Sequence, residues 1–264
     1  MSGRLHRGLE LLRKRHAGGE PSGTGDMPHD ALMALARDVK ALRAFQSALL
    51  LKLPEVHQAL NDAGLRPMCL KGPAASVQIY GDARTREYRD LDFLIDTSDI
   101  TRVQPLMEGL GFFPHDPAIH VYKPPRRSYI RYLHHVAFAH ESLPLYVELH
   151  DRTWRASEAL QPMDAEYFYQ ASTEVEVEGK AITTLRPREH LLYQISHGAS
   201  HAWCRLNWVI DAAAGLDRAG DDLKAQIAED ATRLGLERTL GASIRAIRSV
   251  YPIELGDSLA SIVG

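Results

Sequence analysis

Residues 90–95 read Asp-Leu-Asp-Phe-Leu-Ile. The apolar run of Leu91, Phe93, Leu94 and Ile95 describes a buried strand that carries two carboxylates two residues apart. Strand neighbours i and i+2 point the same way, about 6.6 Å apart at ~3.3 Å per residue. Burial disfavours a charged carboxylate, and a second acid on the same side adds repulsion. Something positive should therefore sit between Asp90 and Asp92. One shared metal ion, or two ions ~3.5–4 Å apart, would meet that need. Hard cations such as Mg²⁺ or Mn²⁺ take oxygen ligands. A third carboxylate from a neighbouring strand would complete the site, and Glu148 in Leu-Tyr-Val-Glu-Leu-His is the candidate. Leu145, Val147 and Leu149 alternate opposite it, while Tyr146 and His150 share its face. The plain alternative for such an acid pair is a solvated strand end.

The stretch upstream adds weight to the metal reading. Residues 66–72, Arg-Pro-Met-Cys-Leu-Lys-Gly, read as a short strand entering a turn. Residues 73–80, Pro-Ala-Ala-Ser-Val-Gln-Ile-Tyr, read as a helix with Pro73 at its first position. Gly72 lets backbone approach a ligand, and the helix start beyond it offers free N–H groups to an anion. Lys71 is placed to bring a cation to a phosphate. Strand, turn, helix, acid-bearing strand and a later strand with an acid form one device for holding a nucleoside triphosphate with metal on its phosphates.

The rest of the chain supplies the frame. Residues 1–16 are basic and lack the apolar core and cleavage site of a signal peptide. Residues 17–28 are rich in Gly, Ser and Pro and read as a linker. Residues 29–66 read as an N-terminal helical region: one helix capped by Asp30, then a second piece from Pro54 ending at Gly64. Residues 67–155 hold the strands and the acids. Within them, 98–112 reads as a helix capped by Ser98 or Asp99 and closed by Gly111, and 114–131 as a loop or irregular hairpin. Residues 156–264 comprise a hairpin turning at Gly179, then helices to the end. The fold class is α+β, a small mixed sheet between two helical regions. The 264 residues carry a formal charge of −3, which argues against an extensive nucleic-acid footprint while leaving a tRNA acceptor open. No apolar run approaches the ~18 residues of a membrane helix. Cys69 and Cys204 show no paired spacing, so a reducing cytoplasm is expected.

At these residues the chain resembles the bacterial "uncharacterised nucleotidyltransferase" family, a branch of the DNA-polymerase-β-like nucleotidyltransferase superfamily. The resemblance rests on Leu70-Lys71-Gly72, Tyr80, Arg86, Asp90-Leu91-Asp92 and Glu148-Leu149-His150. A helical stretch bearing His197, His201, Trp203, Arg205 and Asp211 is similar to that family's C-terminal helices. The resemblance implies an enzyme that moves a nucleoside monophosphate from a triphosphate to an acceptor hydroxyl, with Asp90, Asp92 and Glu148 holding two divalent ions. It implies nucleotide contacts at Lys71, Gly72, Arg86 and Arg205, and leaves the acceptor open among small molecules, peptides, proteins and RNA. Two departures stand out. Gly72-Pro73 replaces the superfamily's Gly-Gly or Gly-Ser, and the third acid is Glu where Asp is commoner.

Other readings stay open on sequence alone. Arg86 serves either a phosphate or an ion pair with Glu87 or Asp82. His197 and His201 lie one helical turn apart, and with Asp211 they suggest a metal-dependent hydrolase, although the Glu of His-Glu-x-x-His is missing. Packing, or lining a nucleotide or acceptor pocket with His150, is the competing role for those histidines. The loop 122–132 interleaves Arg126, Arg127 and Arg131 with Tyr122, Tyr129 and Tyr132, a texture suited to stacking on an acceptor or to solvation. A module of this fold that binds nucleotide without catalysis is the third class.

Overall fold

The computed structural model describes residues 29–96, 102–116, 135–150 and 165–264. The linker, the expected caps Ser98 and Asp99, and the Arg/Tyr loop 122–132 lie outside the described residues. A long helix opens the described chain, α1 (His29–Asp62). Then come β1 (Met68–Cys69), α2 (Gly72–Tyr80), β2 (Asp90–Leu94), α3 (Val103–Gly109) and β3 (Phe112–Asp116). The strands β4 (His135–His140) and β5 (Tyr146–His150) follow, then α4 (Ala165–Gln170) and the hairpin β6 (Ser172–Val177) with β7 (Lys180–Leu185). Five helices close the chain: α5 (Pro187–Ser200), α6 (Leu206–Arg218), α7 (Asp221–Arg233), α8 (Glu237–Arg248) and α9 (Gly256–Val263).

The strands form one mixed sheet in the order β3-β4-β5-β2-β1-β7-β6. The α+β class read from the sequence is the observed one. β2 is central: it pairs parallel with β5 and antiparallel with β1. The hairpin grouped with the C-terminal region extends this same sheet, because β7 pairs parallel with β1. The Thr184 hydroxyl donates to the Cys69 carbonyl at 2.6 Å across that join. The hairpin turns as expected, with Glu178 at φ 50° and Gly179 at φ 72°. Both φ values are positive, as the two-residue turn that matches strand twist requires.

Strand alternation divides the core in two. Leu91, Phe93 and Ile95 of β2 and its flank, with Leu145, Val147 and Leu149 of β5, pack with Leu49, Leu53, Val56 and Leu60 of α1. Met68, Leu70 and Leu94 face the other way, into a core made by α4 and α5–α9. Asp90 and Asp92 share the parity of Leu94. The acids therefore lie on the face that the C-terminal helices cover.

α1 departs from the two-piece reading, since it runs unbroken through Pro54. A proline there removes one backbone N–H donor and crowds the preceding turn. Leu49, Leu50, Leu53, Val56 and Leu60 are all essentially buried, and that apolar stripe spans both sides of the proline. Packing thus overrides the local signal. The end is as read: Gly64 adopts φ 75°, and Leu65 N–H bonds Leu60 C=O at 2.9 Å. That six-residue closure is the Schellman pattern. Pro54→Ala restores the missing donor, so it should stabilise the fold by about 1–3 kcal/mol. Urea unfolding followed by circular dichroism measures this. A loss of stability instead would show that the pyrrolidine ring packs usefully against the sheet.

Candidate active site

The site is built on three adjacent strands. The register of β2 against β5 sets Asp92 directly beside Glu148, and Leu94 beside His150. Alternation then brings Asp92, Glu148 and His150 to the same face. His150 Nε2 lies 3.1 Å from Asp92 Oδ1 and 3.5 Å from Glu148 Oε2. These three residues offer ligand atoms within 4.8 Å of one another, the one such group among the described residues. Two carboxylates and an imidazole are a donor set that suits a divalent cation. The sequence reading placed His150 in the pocket, outside the Asp90, Asp92 and Glu148 ligand set, and grouped Asp90 with the metal ligands. Asp90 shares the face but stands outside the cluster. The pattern Glu-x-His on one strand face was the signal that could have named His150 a ligand.

Lys71 supplies the positive charge that the paired acids demanded. Its ammonium lies 2.6 Å from Asp92 Oδ1, with the aspartate side chain 1% exposed. Burial alone would lift the Asp92 carboxyl, but Lys71 and the His150 hydrogen bond outweigh it and hold it well below the usual carboxylate range. Asp90 goes the other way, to about 6, because burial and then the Asp92 charge disfavour its ionised form. Burial opposes charge on His150, yet its bonds to Asp92 and Glu148 prevail and raise its pKa.

The turn that presents Lys71 depends on Gly72. Lys71 is extended at φ −140°, and Gly72 switches to φ +61°, a region costly for residues with a Cβ. A Cβ at Gly72 would meet the Asp90 carbonyl oxygen only at an ordinary contact distance of 3.6 Å, so the backbone angle is what requires glycine. Pro73 then opens α2 where its missing N–H removes no intrahelical bond. Cys69 is a fully buried core residue, its thiol pushed up to about 12 by burial and then by the Asp92 charge.

Arg86 is committed to an acid that neither sequence alternative named. Its Nε donates to Asp211 Oδ2 at 2.6 Å, and Tyr80 Oη donates to Asp211 Oδ1 at 2.7 Å. Arg86 and Asp211 are 8% and 4% exposed. The loop 81–89 is pinned around them: Arg86 N–H bonds Ser76 Oγ at 2.9 Å, and Gln46 Nε2 bonds Arg86 C=O at 2.6 Å. This arrangement corrects the hydrolase alternative. Asp211 belongs to Arg86 and Tyr80, and forms no cluster of metal ligands with His197 and His201.

Those histidines form an aromatic wall instead. The ring centroids of His197 and His201 are 4.7 Å apart, and both lie near Trp208, at 5.1 and 5.2 Å. Burial, then the Lys71 charge, drives the His197 pKa down to about 2, so its imidazole is neutral. Arg205 lies outside this wall, exposed, with its guanidinium 5.2 Å from the Trp208 ring. The turn after α5 is strained, since Ala202 and Trp203 both take positive φ. Gly198 permits it: a Cβ there would meet the Trp203 ring at 2.4 Å. Lys71, Arg86, Tyr193, Gln194, His197 and Trp208 line a pocket between the helices and the sheet.

A family model described as an uncharacterised nucleotidyltransferase matches residues 16–252. Among solved structures, the antibiotic-resistance factor ANT(2″)-Ia in solution is similar in fold. It shares 12% identity at a TM-score of 0.51, over 72% of this chain and 95% of that one. ANT(2″)-Ia crystallised with adenylyl-2″-tobramycin gives 13% identity and a TM-score of 0.46, covering 76% and 98%. The lincosamide adenylyltransferase LnuA gives 16% and 0.40, covering 59% and 89%. No curated protein matches the sequence.

Two outcomes follow from the buried charges. Arg86→Met strands the Asp211 carboxylate and should cost roughly 3–5 kcal/mol in urea unfolding. Adding Asp211→Asn, which keeps an acceptor for Tyr80, should recover most of that loss; additive losses would contradict the pairing. The second concerns His190, 2% exposed on α5. Burial, then the Arg86 charge, lowers its pKa to about 3. The unfolded chain therefore binds the extra proton between about pH 6.5 and 3, and stability falls as pH drops through that window. Acidification from pH 7 to 5 should remove about 2 kcal/mol through this group. An unchanged pH slope in His190→Gln would refute the assignment.

Proposed function

We propose that the chain, which belongs to the uncharacterised nucleotidyltransferase family, moves a nucleoside monophosphate from a triphosphate to an acceptor hydroxyl and releases pyrophosphate. The observation that supports this most is the convergence of Asp92, Glu148 and His150 beside the Lys71-Gly72 turn. Asp92, Glu148 and His150 would hold a divalent cation, Mg²⁺ or Mn²⁺, whose chemistry is to neutralise phosphate charge and acidify the attacking hydroxyl. Asp90, on the same face of β2, offers a further carboxylate for a second ion. Lys71 brings a compact positive charge to the triphosphate. Glu148 has a side chain 27% exposed against 1% for Asp92, so it is the acid an acceptor can reach. It takes the hydroxyl proton as the oxygen attacks the α-phosphorus and the bond to pyrophosphate breaks in line. Positioning and charge neutralisation supply the rate. Residues 67–155 carry this chemistry, and the helices of 156–264 cover the nucleotide.

Arg86 acts in this scheme as a brace for the loop that precedes β2, not as a phosphate ligand. We place the reaction in the cytoplasm, where Cys69 and Cys204, both free thiols, stay reduced. No helix among the described residues is long and apolar enough to cross a membrane.

Calorimetric titration of ATP, GTP, CTP and UTP, with Mg²⁺ and with chelator, tests the reading. Glu148→Gln is a cleaner probe than Asp92→Asn, which would leave Lys71 buried without its partner. Mg²⁺-dependent binding should weaken at least roughly tenfold in Glu148→Gln, with turnover lost. Binding of no triphosphate by the wild type would sink the proposal. Binding without pyrophosphate release on any acceptor would favour a non-catalytic module.

A further inference from the structure

One carboxylate oxygen at the centre of the site carries two donors. Lys71 Nζ lies 2.6 Å and His150 Nε2 3.1 Å from Asp92 Oδ1. Asp92 is also one of the three residues whose ligand atoms converge for a divalent cation. The ammonium and the cation therefore need the same side chain. A cation on either oxygen of that carboxylate would stand close to the ammonium, and like charges repel strongly where little water screens them. The two are alternative partners for Asp92, not joint ones.

The members of the ion pair are not equally free to move. Asp92 sits mid-strand on β2, paired with β5 on one side. On the other side its carbonyl accepts from Leu70 N–H at 2.9 Å. Its side chain is 1% exposed. Lys71 stands beyond the last residue of β1, at the turn before α2, and its ammonium ends a flexible four-carbon stem. That side chain is 15% exposed, so the lysine is the partner that can leave. Little waits to receive it inside the protein. Asp90 and Glu148 also act on the ammonium, but the cations of the proposed reaction take those acids. The one carboxylate among the described residues lining its pocket, Asp211, holds Arg86 and Tyr80. A displaced ammonium therefore needs an anion from outside, and a phosphate at the Lys71-Gly72 turn is that anion.

We infer that Lys71 is a counter-ion that a divalent cation displaces from Asp92 and that the triphosphate then captures. The inference rests on the nucleotide reading above and gives Lys71 two successive partners within it. Its consequence is a coupling between the two ligands. The cation alone binds weakly, because it leaves an ammonium bare in a covered site. The triphosphate supplies the new partner, so each ligand tightens the other by the same factor. Until both are present the acids keep an internal partner.

The test follows the lysine itself. Acetic anhydride labels the wild-type protein, and mass spectrometry compares acetylation of Lys71 with that of Lys180, exposed on the hairpin. Mn²⁺ should speed acetylation of Lys71 several-fold and leave Lys180 unchanged. Inorganic tripolyphosphate, added with Mn²⁺ in excess, should slow Lys71 again. Calorimetry with Mn²⁺ alone gives a second reading. Lys71→Met should bind Mn²⁺ at least roughly tenfold more tightly than wild type, since no ammonium has to leave. Its thermal unfolding midpoint reports whether it folds, and the labelling needs no variant at all. A lysine that merely positioned Asp92 would give the opposite sign. Three results would each overturn the inference and leave nucleotidyl transfer standing. They are Lys71 labelling that bound Mn²⁺ leaves unchanged or slows, labelling that tripolyphosphate does not slow again, and equal or weaker Mn²⁺ binding in Lys71→Met. If wild type binds no Mn²⁺, with or without tripolyphosphate, the metal reading itself falls and takes this inference with it.

Discussion

The Lys71–Asp92 ion pair is the constraint around which the site is assembled. A carboxylate 1% exposed would be forced toward its neutral form without a close cation. Lys71 can reach it only from the end of β1, so the chain must leave that strand and turn at once. Gly72 makes the turn with a positive φ, and α2 begins at the same residue. Ser76 of α2 then holds the backbone of Arg86, and Arg86 holds Asp211 on α6. One buried charge thus propagates through a turn, a helix and a loop to the helical region opposite. A salt bridge of this kind is weak evidence of stability and better evidence of a fixed arrangement.

The sheet's two faces solve different problems. Toward α1 the contact is apolar, and Leu49, Leu53 and Phe93 exclude water without any need for precise pairing. Toward α5 and α6 the same solution is barred near the acids, because an apolar cover would leave their charges unpartnered. The observed cover is mixed. Tyr193 and Leu192 pack into the apolar core, while Gln194, His197 and Asp211 border the pocket. Polar contacts between the helices and the sheet fix how the two meet, and a small pocket remains between them.

Much of this was legible from residue order. Alternation in β2 and β5 announced the shared face of the acids, and the hairpin at Gly179 announced itself through period-two spacing. The need for a cation beside Asp92 was also readable, but its identity was not: Lys71 was assigned to phosphates, and only the β1–β2 pairing shows it touching the acid. Arg86 shows the limit more sharply. Its near-sequence acids, Asp82 and Glu87, were the natural partners, yet the ion pair spans 125 residues to Asp211. Nothing local encodes such a contact. His150 was within reach, because Glu-x-His repeats on β5 the logic of Asp-x-Asp on β2. Pro54 misled for the opposite reason, since a strong local breaker was overridden by burial on both its sides.

The same asymmetry explains why the polar relay from the Leu185 carbonyl through Gln78, His190 and Gln194 carries information that composition cannot. Each of these side chains alone can donate or accept. Joined to a backbone carbonyl that only accepts, all three lose that freedom, and their orientation becomes a property of the fold. His190 must then stay neutral, which burial ensures by holding its pKa near 3. A relay exposed to solvent would be free to reverse, with water accepting whichever end was offered. Burial, which makes the acids of β2 expensive, is what gives this amide a fixed direction. Charge compensation and hydrogen-bond polarity are thus two consequences of covering one face of the sheet with α5 and α6.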